Sequence, residues 1–402
     1  MSAAAQRHIS QRVVDACLRE NLFGILDRGT IVPRLPASAP AVRDSAATDH
    51  WLVLQTATHS LYVPVTASRY MQPWRAVSDG WLAHNGRQWL WEQGYGNWLR
   101  RLAEGRGPEI RQSFERYCAE ADTAVRHCDI CRDAYRQQRQ ALTQPVAQIP
   151  GWHQRMLFGE QVASYLDHPF YPTARAKHGL DSAALKRYAP EFMPTFSLRW
   201  VAVKKARATL MGTLPPWWPD CKAVGLPAHY EESHALFPVH PLTWSHLEEM
   251  ADDILKAPLA AIDVKPTLSV RTVAIEQAPR HHLKLPLTMS TLGARNTRLI
   301  KPSTLYDGHL VGQLLRALGE SDSHLRGRYL HCREETGGHV GDSKQLCYIL
   351  RDYPEQALTE TTLVPVAALA SPMPDGRLYA EHLVETFFGG DLFHWLDEYL
   401  EL

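Results

Sequence analysis

The apolar positions of this 402-residue chain change period along its length. In the opening segment 2–20, Ile9, Val13, Val14, Cys17 and Leu18 share one side of a 3.6-residue repeat, which predicts an amphipathic helix. Past a Pro-rich stretch at 33–40, the alternation in W-L-V-L-Q-T-A-T-H-S-L-Y-V-P-V (51–65) predicts two short strands about a turn near His59. Helical spacing returns over 81–104 and 109–142, until T-Q-P-V-A-Q-I-P-G-W breaks it and places a boundary near Pro150. A helix from Trp152 carries Met156, Leu157, Val162 and Leu166, and T-F-S-L-R-W-V-A-V (195–203) follows as a strand. After P-P-W-W-P-D (215–220), a turn-rich connection, F-P-V-H-P leads into a helix through Leu247 and Met250. The segment 310–318 is helical, 328–333 and 346–351 read as strands, and a helix over 379–388 ends at Gly389 and Gly390. Helices grouped early and an antiparallel-leaning sheet later make the expected class α+β.

Two stretches in the sheet-rich part carry chemistry. In K-P-T-L-S-V-R-T-V-A-I (265–275), Thr267, Ser269 and Arg271 lie two apart, so a strand would send all three side chains to one face. Lys284, Thr288, Ser290, Thr291 and Arg295 repeat the theme on what reads as a neighbouring strand running into a turn at Gly293. Cations and hydroxyls on adjacent strands can hold a polyphosphate and a carboxylate, because guanidinium offers a bidentate fork and ammonium a compact point charge. The blander alternative is a half-exposed sheet with a solvated polar face.

Composition narrows the setting. The 43 basic and 43 acidic residues balance, so no whole-chain field favours nucleic acid or an anionic membrane, and attraction for an anionic ligand has to be local. No stretch approaches the roughly 18 apolar residues of a membrane helix, and the N-terminus lacks the pattern of a secretory signal, so a cytoplasmic location is expected. Seven dispersed cysteines fit reduced thiols, and Cys128 and Cys131, one turn apart within a helical segment, read as packing and not as a metal site. No metal-ligating set is expected, and no G-x-x-x-x-G-K loop occurs, so any nucleotide would be held by strands and side chains.

The order T-x-S-x-R-T, L-K-L, T-x-x-x-R resembles the core of the siderophore synthetases that work without nonribosomal peptide synthetases, the IucA/IucC family. F-P-V-H-P (237–241) is similar to the family's V-H-P-W-Q element, with Leu242 and Thr243 in place of Trp and Gln. D-H-P-F-Y-P-T-A-R-A-K-H-G (167–179) resembles its G-H-P-x-H-P-x-x-K-x-R-x-G box, with Tyr171 for the second His, Arg175 for the Lys and Lys177 for the Arg. Four ordered elements are harder to meet by chance than any one of them, which favours the ligand reading over the solvated face.

The resemblance implies a hand-like architecture: a helical thumb-like domain over 1–150, a sheet-rich fingers-like ATP- and carboxylate-binding domain over 151–372, and at 373–402 the start of a palm-like domain that is otherwise absent. It implies a ligase that uses ATP and Mg2+ to adenylate citrate or a related polycarboxylate and condense it with an amine or alcohol. By the same resemblance Ser269, Arg271, Thr272 and Lys284 hold ATP phosphates, Ser290, Thr291 and Arg295 hold the carboxylate, and Lys284 and Arg295 act in catalysis. The resemblance also puts His168, Arg175 and Lys177 at the nucleotide: His168 is either a phosphate-side donor or a loop cap before Pro169, and Arg175 and Lys177, which by themselves could be a solvated pair, are placed by the box as a lid over the nucleotide. His240 reads as a core residue, and His281 and His282 as surface residues. The family's E-A-H-x-Q-N string does not occur in the sequence. That leaves open a catalytically silent or split subunit needing a separate palm-bearing chain, and an unrelated nucleotide-dependent ligase remains a further alternative. A homodimer is also consistent with the family.

Overall fold

Ser2 opens the first helix as its sequence predicts: in the computed structural model, its hydroxyl accepts from the Ala5 N–H at 3.1 Å and caps Ala3–Arg19. The structure describes residues 1–42, 48–68, 71–166, 168–249, 254–355, 358 and 362–401. Asp167 and Met250, which belong to two of the sequence expectations, lie outside these. The chain divides into two units.

The first unit comprises Met1–Cys131, His168–His178 and Thr291–Ala294. Its antiparallel sheet is built from β1 (Thr30–Val32), β2 (His50–Gln55), β3 (Ser60–Ala67), β4 (Trp74–Ala76), β5 (Gly80–His84) and β6 (Trp89–Gln93), in the order β1-β2-β3-β5-β6 with β4 also on β3. The predicted hairpin about His59 is β2 and β3. The predicted helix over 81–104 is largely wrong: β5 and β6 occupy its first half, and the helix runs only over Tyr95–Leu102. Asn85 and Gly86 make the turn between them, with Gly86 at φ +88° and the Asn85 side chain accepting from the Arg87 and Gln88 N–H groups. Ile9, Val13 and Leu18 from the first helix pack with Leu52, Leu61, Val63, Trp81 and Trp98 in one core. The long helix Pro108–Leu142 matches its periodicity, and Cys128 and Cys131 are buried on it, neither of them in a disulfide.

The second unit holds the larger sheet. Its strands are β7 (Phe196–Lys204), β8 (Ala208–Met211), β9 (His234–Val239), β10 (Ile254–Lys256), β11 (Ala261–Pro266), β12 (Thr272–Ile275), β13 (His281–Lys284), β16 (Arg333–Val340) and β17 (Cys347–Asp352), while β14 (Leu287–Ser290) and β15 (Thr297–Arg298) form a separate ribbon. The order is β10-β7-β11-β12-β13-β17-β16-β8, with β9 on β7, and every pairing is antiparallel. Val273, Leu283, Leu350 and Tyr348 point into a core with Trp200 and Phe237. Opposite residues in antiparallel strands point the same way, so Thr272, Lys284, His282 and Arg351 share the other face. The α+β class is as expected, and Gly151–Leu166, Ser303–Ser321 and Tyr379–Phe387 fall close to the predicted helices.

Three local expectations fail here. The strand predicted at 328–333 begins only at Arg333. F-P-V-H-P leads into a short helix, Pro241–Trp244, that tightens into the 3₁₀ turn Ser245–Glu249. The segment 265–275 is not one strand but a hairpin, discussed below with the site. Among the described residues, no helix is long and apolar enough to cross a membrane.

Gly337 shows how closely this sheet is covered. A Cβ there would lie 2.4 Å from the Tyr348 carbonyl oxygen and 2.5 Å from Leu305 Cδ1 on helix Ser303–Ser321. Backbone cannot yield as a side chain can, so Gly337→Ala is expected to cost roughly 2 kcal/mol or more, read as a lowered midpoint in urea unfolding.

Candidate functional site

Thr267, Ser269 and Arg271 do not line one face of a strand. β11 ends at Pro266 and β12 begins at Thr272, and the residues between them form the turn of a hairpin whose pairs run Val264 to Ile275, Lys265 to Ala274 and Pro266 to Val273. The hydroxyls hold that turn: Thr267 Oγ1 donates to the Thr272 carbonyl at 2.7 Å, and Ser269 Oγ accepts from the Thr272 N–H at 3.1 Å. Val270 sits at φ +62°, a left-handed conformation that costs a β-branched residue on the order of 1–3 kcal/mol. A carboxylate from helix Gly151–Leu166 helps to fix it, because Glu160 Oε2 accepts from the Leu268 N–H at 2.8 Å. Burial raises the Glu160 pKa against that hydrogen bond and the nearby Arg351 charge.

Beside this turn the sheet gathers cations. Thr272 on β12 is opposite Lys284 on β13, which is opposite Ile349 on β17. Two residues along β17, Arg351 donates from Nε to Glu334 Oε1 at 2.8 Å, with Nη2 at 2.6 Å from the same oxygen. Lys284 Nζ lies 3.7 Å from Glu334 Oε2. Arg271 turns one arm to the Leu299 carbonyl at 3.1 Å. Burial presses the pKa of both Arg271 and Lys284 down, and the Glu334 charge opposes it. For Arg351 burial also works against the charge, but Glu334 and Tyr353 outweigh it and the pKa is raised. Three half-buried cations thus surround one carboxylate, an excess of positive charge where water screens it poorly. Such a face can bind a polyanion with charge-assisted hydrogen bonds.

Ser269, Arg271, Thr272 and Lys284, expected from the sequence, come together here, and Arg351 and Glu334 join them without having been expected. Their signal was the charge at the ends of two predicted strands, but only strand register places it beside Lys284. Ser290 is buried at the end of β14 and Arg295 is exposed in the turn before β15. His281 is half-buried, and His282 is not a surface residue at all: it is 1% exposed, ringed by His153 and Tyr353.

The remaining predicted residues belong to the first unit. His168 Nδ1 accepts from the Phe170 and Tyr171 N–H groups at 3.1 and 2.9 Å and so caps the loop. Arg175 and Lys177 are buried, not solvated, and the Arg175 guanidinium contacts the Cys131 thiol. Thr291 is buried, with its hydroxyl lacking a hydrogen-bond partner among the described residues.

Comparison with known proteins fits this geometry. The sequence profile of the IucA / IucC family matches residues 155–371, a span that contains Glu160, the strained turn, Lys284, Glu334 and Arg351. Staphyloferrin B synthase from Staphylococcus aureus is 30% identical over 246 residues, covering 54% of this chain and 41% of that protein. Among solved structures, the petrobactin biosynthesis protein AsbB from Bacillus anthracis superposes with a TM-score of 0.69 at 16% identity, over 98% of this chain and 65% of that one. The ATP-bound aerobactin synthetase IucA from a hypervirulent pathotype of Klebsiella pneumoniae gives 0.62 at 15% identity, over 94% and 66%. At such identities the likeness of the solved structures is one of fold. The chain spans less than half the length of the curated relative and about two-thirds of each solved one. Profile and motifs agree on one conclusion: the chain belongs to the IucA / IucC family.

Proposed function

We propose that the chain serves siderophore synthesis as an ATP-dependent ligase that activates citrate or a related polycarboxylate for condensation with an amine or alcohol. The observation that carries this is the gathering of Arg271, Lys284 and Arg351 about a single carboxylate on the sheet. Forming an amide or ester from a carboxylate in water is uphill. The carboxylate therefore attacks the α-phosphorus of ATP, pyrophosphate leaves, and the nucleophile then displaces AMP from the acyl-adenylate. The protein's part is to neutralise phosphate charge and hold the two reactants in line. Ser269, Arg271, Thr272, Lys284 and Arg351 are assigned to the ATP phosphates, and Ser290, Thr291 and Arg295 to the carboxylate. Arg295, exposed and without an ion pair among the described residues, is the cation left to meet it. His168 is assigned as a further phosphate-side donor, and Arg175 and Lys177 as a lid over the nucleotide, in addition to their part in holding the box loop. Mg2+ is proposed as the ion that accompanies ATP and would share in neutralising its phosphates.

Its relatives support siderophore synthesis with ATP, since one is staphyloferrin B synthase and another is an aerobactin synthetase with ATP bound. The second reading is a nucleotide- and carboxylate-binding subunit acting with a separate chain. Pyrophosphate release with ATP, Mg2+ and citrate, with and without hydroxylamine as surrogate nucleophile, separates the two. Citrate-dependent release supports the ligase. ATP binding without release supports the subunit, and absence of ATP binding defeats both.

Glu334 gives a sharper test. It neutralises part of the cationic face, so Glu334→Gln, which keeps an acceptor for Arg351, is expected to tighten ATP binding by about tenfold in calorimetry at low salt. Weaker binding would mean that Glu334 itself assists the ligand.

A further inference from the structure

One buried carboxylate of the first unit, Glu120, joins two segments far apart in sequence. It is 8% exposed and lies on helix Pro108–Leu142. Its Oε1 accepts from the Tyr171 hydroxyl at 3.1 Å and from the Thr173 hydroxyl, and its Oε2 accepts from the Ala294 N–H at 3.0 Å, with His178 Nε2 4.0 Å away. The Ala294 end of this network needs holding. Leu292 has φ +54° and Gly293 φ +115°, and a left-handed leucine persists only where its surroundings dictate it. Tyr171 also lies alongside, its hydroxyl at contact distance, 3.4 Å, from where a Gly293 Cβ would be. At the other end of the same four residues stands Thr291, 6% exposed, whose hydroxyl has no hydrogen-bond partner among the described residues. A buried hydroxyl without a partner is costly, and a ligand oxygen would relieve it.

We propose that Glu120 is a positioning residue: it fixes the strained Thr291–Ala294 segment and so sets the affinity for the polycarboxylate that the Thr291 hydroxyl meets. The inference rests on the assignment of Thr291 to the carboxylate made above. The chemistry of the partners makes it testable. Hydroxyls can accept as well as donate, but the Ala294 N–H can only donate. A glutamine at position 120 can offer its oxygen to Ala294 and its amide hydrogens to the two hydroxyls, whereas an alanine offers nothing.

The experiment compares the full chain with its Glu120→Ala and Glu120→Gln variants, by hydrogen exchange at Ala294 and by calorimetric binding of citrate and of ATP. Glu120→Ala is expected to speed Ala294 exchange by about tenfold or more and to weaken citrate binding by about tenfold, with ATP affinity within about twofold; Glu120→Gln restores both. Should the alanine variant unfold, Glu120→Asp, one methylene short of Ala294, carries the same expectation. Ala294 protected alike in all variants overturns the proposal, as does equal loss of citrate and ATP affinity. A wild-type chain that binds ATP but no citrate defeats the assignment of Thr291 and the affinity claim with it, while the exchange at Ala294 still decides whether Glu120 holds the segment.

Discussion

Lys284→Met is expected to weaken ATP binding by roughly 30- to 100-fold, with little change in the unfolding midpoint. The ammonium is half-buried on β13 opposite Thr272, so its charge acts through protein and not through bulk water. A hydrogen bond to a charged partner is worth about 1.5–3 kcal/mol, and 1.4 kcal/mol is tenfold in affinity. Methionine keeps the length and packing of the stem while removing the charge, and the released Glu334 still has Arg351 at 2.6–2.8 Å, so no carboxylate is stranded. Arg351→Met is expected to weaken ATP binding too, but to cost stability as well, because among the described residues it leaves Glu334 the longer Lys284 ion pair and the more distant Arg271 charge. Calorimetry with ATP and with inorganic triphosphate reads both effects. If the Lys284→Met variant binds either ligand as tightly as the wild type, the cationic face is not the phosphate site.

How much of this was legible in the sequence depends on which interactions set each element. β12 and β13 were readable because Val273, Leu283 and their neighbours alternate with polar residues over a half-covered sheet. The turn between β11 and β12 was not, because T-L-S-V-R alternates as a strand would and contains no Gly, Asn or Asp. What makes it a turn is the left-handed Val270, the hydroxyls of Thr267 and Ser269, and Glu160, which is 108 residues from Leu268. Tertiary contacts outweighed local propensity there. At 81–104 the sequence carries both signals: Asn85-Gly86 between two apolar runs is a hairpin signature, and the apolar spacing of so short a stretch suits helix and strand alike. The cations on 265–284 were found by their spacing along the chain, whereas Arg351 and Glu334 complete the site through the pairing of β13 with β17 and across to β16, which no local pattern encodes. His282 was misread because two adjacent histidines look like a polar surface, although on a strand they face opposite ways and only one is buried.

That buried histidine has a second consequence, shared with His240. Both are at most 1% exposed, and burial pushes the pKa of each down to about 3. His240 Nδ1 accepts from the Leu242 N–H at 3.1 Å, and the Nε2 atoms of both rings have no partner among the described residues. Beyond burial, the charges of Arg351, His153 and His281 also oppose protonation of His282, and Tyr353 packs on its ring. In the unfolded chain each imidazole takes up a proton below about pH 6.5, while in the folded chain each stays neutral down to about pH 3. Across that window the unfolded state binds more protons, so stability is fully present above pH 6.5 and falls as pH falls. From pH 7 to pH 5 the loss is about 2 kcal/mol per histidine, on a slope that approaches roughly 1.4 kcal/mol per pH unit. Urea unfolding at the two pH values is therefore expected to show a marked loss for the wild type. His282→Leu, which needs no proton in either state, and His240→Asn, whose side-chain oxygen can still cap Leu242, are each expected to shrink that loss by about 2 kcal/mol. An unchanged pH 7 to pH 5 difference in both variants would show that the two rings are charged in the folded protein, and would require their unpaired Nε2 atoms to have found partners.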